Sequence, residues 1–278
     1  MTYTDLISHL TELGASSPES EAAELTRVFS GKSREWCILN RTAELPNSSL
    51  IENALDKRRQ GTPLQYIIGE AWFFGNRFLV TPDCLIPQPD TEHLVDLALK
   101  HAKGQCTVLD LCTGSGCVAI SILKENPQAC AVAVDISVPA LEVAEKNASL
   151  HSCTDRIRLR QLDVFGDSTA DLIRSADVIV SNPPYINSDV IPTLSSEVRC
   201  EPTLALDGGS DGLRFYRHFI LTLTNHMKDG AVMLLEIGYD QSEPITNLCR
   251  SAGLTLKLHR DFGGNLRVAE ITHVKPTH

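Results

Sequence analysis

Thr107-Val108-Leu109-Asp110-Leu111-Cys112-Thr113-Gly114-Ser115-Gly116, running on into Cys117-Val118-Ala119-Ile120-Ser121-Ile122, holds a strand, a glycine turn and a helix start in one short stretch. The apolar run is short and ends in turn residues, the form of a buried strand in a parallel sheet. In such sheets the crevice lies at the carboxyl ends of the strands. Glycines in the first turn let the backbone approach a ligand with no Cβ in the way. A nucleotide-like ligand is therefore expected here, held by Asp110, Cys112, Thr113, Gly114, Ser115 and Gly116. The spacing Gly114-x-Gly116-x-x-Ala119 also satisfies the dinucleotide fingerprint, so a nicotinamide enzyme stays open at this point.

Working outward, further short apolar runs predict strands at Ala131–Ile136, Ile157–Asp163, Asp177–Ser181 and Ala231–Ile237, alternating with helical stretches. Two more, Leu254–Arg260 and Arg267–Thr272, flank Gly263-Gly264-Asn265, a tract that turns the chain into an antiparallel hairpin. The expected fold is α/β: a doubly wound, mostly parallel, Rossmann-like sheet of seven strands. Before it, Ser17-Pro18 with Glu19 and Glu21 opens a helix, and Ser48–Arg59 makes another, stopped by Gly61 and Pro63. Lys57, Arg58 and Arg59 read as a solvated last turn suited to the helix dipole. Between Leu64 and Val80 aromatic and β-branched residues around Gly69 and Gly75 suggest a hairpin. The expected organisation is a helical domain over 1–63, a hairpin linker over 64–82 and the sheet domain over 83–278.

Composition narrows the class. The chain has 278 residues, 42% of them apolar. No apolar run reaches the roughly 18 residues of a membrane span, and Met1–Leu13, with Asp5, His9 and Glu12, does not read as a signal peptide. A cytoplasmic protein with no membrane association is expected. Nine cysteines stand singly with no CxxC pair, which predicts reduced thiols and no metal site. A net charge of -10, and seven Lys and Arg against ten Asp and Glu in residues 1–70, oppose a phosphate-neutralising surface.

Asp135 ends the second strand of the sheet, where a carboxylate accepts from both ribose hydroxyls of an adenosine. Asp163, with Val164 and Phe165 behind it, is placed to accept from an adenine amino group, or to cap a turn. The chemistry is carried by Asn182-Pro183-Pro184-Tyr185, after the fourth strand. An amide or aromatic-amine nitrogen is a poor nucleophile because its lone pair is delocalised, but it carries two hydrogens that a site can grip. The Asn182 side-chain oxygen can accept one N–H and the Pro183 carbonyl the other. Prolines hold that carbonyl rigidly, and Tyr185 can cover the acceptor's planar face. Two acceptors aimed at the nitrogen also stabilise positive charge developing there during methyl transfer. A dehydrogenase has no need of this arrangement.

Taken together, Gly69-Glu70, Leu85-Ile86-Pro87-Gln88-Pro89-Asp90-Thr91-Glu92, the Asp110–Gly116 loop, Asn182-Pro183-Pro184-Tyr185, Glu201-Pro202 with Ala205-Leu206-Asp207-Gly208-Gly209, Leu235-Glu236-Ile237-Gly238 and Asp261-x-Gly-x-Asn-x-Arg267 resemble the release factor glutamine methyltransferases, the PrmC/HemK family. The resemblance spans nearly the whole chain. It implies S-adenosylmethionine as cofactor, and methyl transfer to the glutamine amide of the Gly-Gly-Gln motif in class I peptide chain release factors. By it, Cys112 to Gly116, Asp135, Val164 and Asn182 bind the cofactor, and Asn182 to Tyr185 hold the substrate glutamine. The family usually has glycine at the position of Cys112 and arginine at that of Gln88. A monomer is expected, with the helical domain recognising the partner protein. Methylation of a base amine in DNA or RNA is the alternative the motif allows, and the acidic charge balance opposes it.

Overall fold

The computed structural model describes residues 1–261 and 263–274. Two units make up the chain: Met1–Glu70 with Ser195–Cys200, and Ala71–Leu194 with the chain from Glu201 onward.

The first unit holds five helices: α1 (Tyr3–Glu12), α2 (Pro18–Ser30), α3 (Arg34–Leu39), α4 (Ser48–Arg59) and α5 (Leu64–Ile68). α1 begins with a capping box. The Thr2 hydroxyl accepts the Asp5 N–H at 3.2 Å while the Asp5 carboxylate accepts the Thr2 N–H at 2.8 Å, so two orphan donors are satisfied at once. Tyr3, Leu6 and Leu10 bury the inner stripe of α1 against Ala22, Leu25, Ile51 and Leu55. Two expectations need correction. Residues 64–68, read as the start of a hairpin, form α5, because Pro63 opens the turn and Gly69 at φ 77° closes it by donating its N–H to Gln65. Arg58 is not a solvated end residue: only 7% of its side chain is exposed, and it pairs with Glu21 at 3.1 Å and Glu197 at 2.9 Å. Glu197 belongs to Ser195–Cys200, the one segment from late in the chain that joins this unit.

The second unit starts with the hairpin β1 (Glu70–Phe73) and β2 (Asn76–Leu79), then α6 (Glu92–His101), β3 (Thr107–Leu111), α7 (Cys117–Glu125), β4 (Cys130–Asp135), α8 (Val138–Leu150), β5 (Ile157–Gln161), α9 (Ser168–Ser175), β6 (Val178–Ser181), α10 (Thr203–Leu206), α11 (Arg214–Leu221), β7 (Val232–Glu236), α12 (Ser242–Ser251), β8 (Leu254–Arg260) and β9 (Leu266–His273). Among the described residues the main sheet has seven strands, in the order β5-β4-β3-β6-β7-β9-β8. The first five are parallel; β9 is antiparallel to both β7 and β8. This is the doubly wound sheet with an antiparallel edge that the sequence predicts. β5 ends at Gln161, two residues before Asp163, because a turn begins there: the Asp163 carboxylate accepts the Phe165 N–H and its carbonyl the Gly166 N–H.

Alternation along the strands builds two cores. Val108, Ala131, Val180 and Leu234 face one layer with α6 and α7, whereas Leu109, Val134, Ile179 and Leu235 face the other with α11. The chain starts in the sheet at β3, winds out through β4 and β5, then returns to β6 on the other side of β3. That reversal opens a crevice between the carboxyl ends of β3 and β6.

Candidate active site

Leu111 and Ser181 are in register, so Cys112 and Asn182 leave neighbouring strands side by side at that crevice. The cleft there is lined by the 83–88 strap, the 112–115 loop, the ends of β4 and β5, Asn182, Pro184 and the start of α11. Its free space, open mouth included, is about 1180 Å³, ample for a nucleotide-sized ligand.

The first turn is wound tightly by local bonds. Cys112, Gly114 and Gly116 all have positive φ, at 61°, 54° and 80°. At Gly116 a Cβ would stand 3.0 Å from Ile120 Cδ1 and 3.2 Å from Ala144 Cβ, so this glycine serves helix packing. Asp110, 2% exposed, accepts from the Thr113 hydroxyl at 2.6 Å and the Ala119 N–H at 3.3 Å, pinning the loop to α7. Burial pushes its pKa up to about 7 against those two bonds. Asp135 accepts the Gly114 N–H at 2.8 Å and the Ser137 N–H at 2.9 Å, and burial raises its pKa too. Ser115 Oγ is buried and makes no hydrogen bond among the described residues.

Most residues singled out from the sequence meet at this cleft. Asp110, Cys112, Thr113, Gly114, Ser115, Asp135, Asp163, Val164, Asn182 and Pro184 line it, as does Gln88. Gly116, Pro183 and Tyr185 do not. Pro183 is buried, and the Tyr185 phenol faces the buried Glu236 carboxylate, whose charge joins desolvation in raising the phenol's pKa. Asp163 lines the cleft and caps its own turn, its Oδ1 accepting the Phe165 N–H at 3.0 Å. Asn182 Nδ2 donates to Thr91 Oγ1 at 3.1 Å; its oxygen makes no hydrogen bond among the described residues.

Several residues of the site escaped the sequence reading. Gln241 clamps the turn after β6, donating from Nε2 to the carbonyls of Tyr185 at 3.0 Å and Gly212 at 3.2 Å while Oε1 accepts the Gly238 N–H. Glu201 accepts the Ile86 N–H at 3.1 Å, tying the strap to the chain before α10, and burial pushes its pKa up to about 7. Thr91 and Glu236 lie buried beside Asn182. Each sits within a quoted motif, and a carboxylate closing the apolar run 231–235 was the available signal. Burial pushes the thiols of Cys84 and Cys117 up to about 11 and about 12, and that of Cys112 up as well. These thiols stay protonated at neutral pH and are poor nucleophiles.

Comparison with known proteins agrees with this geometry. A family model described as "Methyltransferase small domain" matches residues 90–197, and one described as "PrmC N-terminal domain" matches residues 3–69. The release factor glutamine methyltransferase of Bacillus subtilis is 35% identical over 94% of this chain and 92% of its own length. That of Cereibacter sphaeroides is 44% identical over 73% of this chain and 71% of its own. The solved hMettl16 catalytic domain shares the fold, with a TM-score of 0.56 at 16% identity over 80% of this chain and 82% of that one. With a relative 35% identical along more than nine-tenths of both chains and the N-terminal family model matching the helical unit, the chain belongs to the release factor glutamine methyltransferase family.

Proposed function

We propose that this chain transfers a methyl group from S-adenosylmethionine to the side-chain amide nitrogen of the glutamine in the Gly-Gly-Gln motif of class I peptide chain release factors. The observation that carries the reading is Asn182 on the cleft wall, its Nδ2 engaged by Thr91 and its oxygen left to accept. The cleft fits the cofactor: the Asp135 and Asp163 carboxylates offer acceptors to ribose and adenine, Val164 and Phe165 offer apolar surface, and Ser115 Oγ, buried with no hydrogen bond among the described residues, can take a polar group. Bound S-adenosylmethionine supplies a methyl carbon on a positively charged sulfur, which leaves as a neutral thioether.

This chain's own part is to orient a weak nucleophile. Asn182 Oδ1 accepts one amide N–H and the Pro183 carbonyl the other, which fixes the nitrogen and strengthens as it gains positive charge. One of its two protons is then lost to solvent. Pro183 and Pro184 keep that carbonyl from turning, and Gln241 holds the following peptide. Tyr185 supports the turn from beneath in this reading instead of covering the glutamine. The helical unit, 1–63 in the sequence reading, recognises the release factor, since the cleft has room only for the glutamine and its neighbours. The protein works as a cytoplasmic monomer without direct nucleic-acid binding; the acidic balance of residues 1–70 supports that last point. Among the described residues no helix is long and apolar enough to cross a membrane.

The test is incubation with labelled cofactor and an unmethylated release factor. Label on the Gly-Gly-Gln glutamine is expected; label in nucleic acid but not in the factor would overturn the reading.

A further inference from the structure

Asn182 cannot do its work unless its amide is the right way round. An oxygen turned to the cleft accepts a substrate N–H; an NH2 turned there meets another NH2 and repels it. Something must therefore choose between two amide orientations of nearly equal shape. Ser181 is in register with Leu235, so Asn182 and Glu236 stand next to each other at the ends of β6 and β7, on the face that bears Val180 and Leu234. Thr91, 3% exposed, faces both from the turn that opens α6. Its Oγ1 accepts the Asn182 Nδ2–H at 3.1 Å. The Glu236 carboxylate, 1% exposed, lies beside the hydroxyls of Thr91 and Tyr185, and its Oε2 makes no hydrogen bond among the described residues.

Resting on the glutamine-methylation reading, we propose that Thr91 and Glu236 are positioning residues that fix the Asn182 amide with its oxygen toward the cleft. The reason is donor and acceptor parity. An ionised carboxylate only accepts, so it takes the Thr91 proton; Thr91 Oγ1 is then left as an acceptor, and only the NH2 end of Asn182 can satisfy it. The Tyr185 hydroxyl faces the same carboxylate and is a second donor available to it. The charged and titratable groups facing Glu236 are Arg267 from β9, Asp90 from the turn before α6, Tyr185, and Tyr216 from α11, whose hydroxyl donates to the Glu236 carbonyl at 2.8 Å. Burial moves the Glu236 pKa up to about 7, so the relay is tested at about pH 8, where the carboxylate is ionised.

Thr91→Val keeps the shape and removes the acceptor. It should lower kcat about tenfold, with the KM for the release factor and the affinity for S-adenosylhomocysteine changed less than about twofold, and Thr91→Ser should restore turnover. Glu236→Gln should also lower kcat, and the double variant should be no slower than the slower single one, because both break one chain. Turnover of Thr91→Val within about twofold of wild type, or losses that multiply in the double variant, would overturn the proposal. A second readout needs no substrate: the Asn182 side-chain amide protons, identified by their loss in Asn182→Ala, should exchange faster in Thr91→Val than in wild type. Equal exchange would also overturn it. If wild type left the glutamine unlabelled, the methylation reading would fail while the exchange measurement still decided the orientation.

Discussion

Gly212→Ala puts one methyl group where the turn after β6 leaves no room. Gly212 has φ 71°, and a Cβ there would lie well inside van der Waals contact of the Tyr185 carbonyl oxygen and 2.7 Å from Gln241 Nε2. Left-handed backbone at a residue with a Cβ costs about 1 kcal/mol. Overpacking against two groups that hydrogen-bond each other at 3.0 Å adds about 1 to 3 kcal/mol, since one is backbone and the other is a side-chain end held by its bonds to Tyr185, Gly212 and Gly238. Relief requires the Tyr185 peptide to move, and Pro183 and Pro184 immediately before it transmit that shift to the Pro183 carbonyl proposed to receive the substrate. A displacement near 1 Å in a positioning group costs about 100-fold in rate. Denaturation by urea should show a loss of about 2 to 4 kcal/mol, and the labelled-methyl assay a fall in kcat larger than any fall in S-adenosylhomocysteine affinity, because the cofactor loop hangs from β3. A variant with wild-type stability and turnover would mean that the Gln241 clamp does not hold the turn, and the reasoning would be refuted.

Gly114→Ala makes the contrasting case: among the described residues nothing beyond its two chain neighbours lies within 4 Å of an added Cβ, so stability should fall by only about 1 kcal/mol for the left-handed backbone. Because Gly114 lines the cleft, titration calorimetry should show the larger effect on S-adenosylhomocysteine affinity. Arg58→Met keeps the apolar stem but leaves Glu21, 13% exposed, without its partner; urea denaturation of the full chain should register about 3 kcal/mol lost, and a loss under about 1 kcal/mol would show the pair to be unimportant. Asp110 and Glu236, raised by burial to about 7 from 3.8 and 4.5, hold protons that the unfolded chain has already released. Their contribution is therefore fully present below about pH 4 and lost as pH rises to about 7, so the urea midpoint should fall between about pH 5.5 and pH 7.5, and less steeply in Asp110→Asn.

Much of this was legible in the sequence because strands and turns obey local rules. Thr107–Leu111 and Leu254–Arg260 have the expected ends, since each apolar run stops where turn residues begin. Ile157–Asp163 does not: Asp163 prefers to cap its own turn, and no pattern of apolar residues records that choice. Helix α1 is harder to see although Thr2 and Asp5 have capping-box spacing, because its buried stripe is only Tyr3, Leu6 and Leu10. Arg58 was misjudged for a different reason. Its partner Glu197 lies 139 residues away, and charge clusters say nothing about acids so distant.

The cleft divides along the same line. Residues that would touch a ligand, such as Asp135 and Asn182, are visible because strand ends and glycine turns place them at one edge of the sheet. Residues that aim them are not, since aiming depends on register between strands. Glu236 matters because Leu235 pairs with Ser181, and nothing in either strand taken alone states that pairing. Yet a trace remains. A carboxylate at the end of an otherwise apolar central strand is expensive to bury unless it is hydrogen-bonded, so its presence requires donors nearby. The hydroxyls beside this one are those of Thr91 and Tyr185, and the first of them accepts from the asparagine on which the proposed chemistry depends.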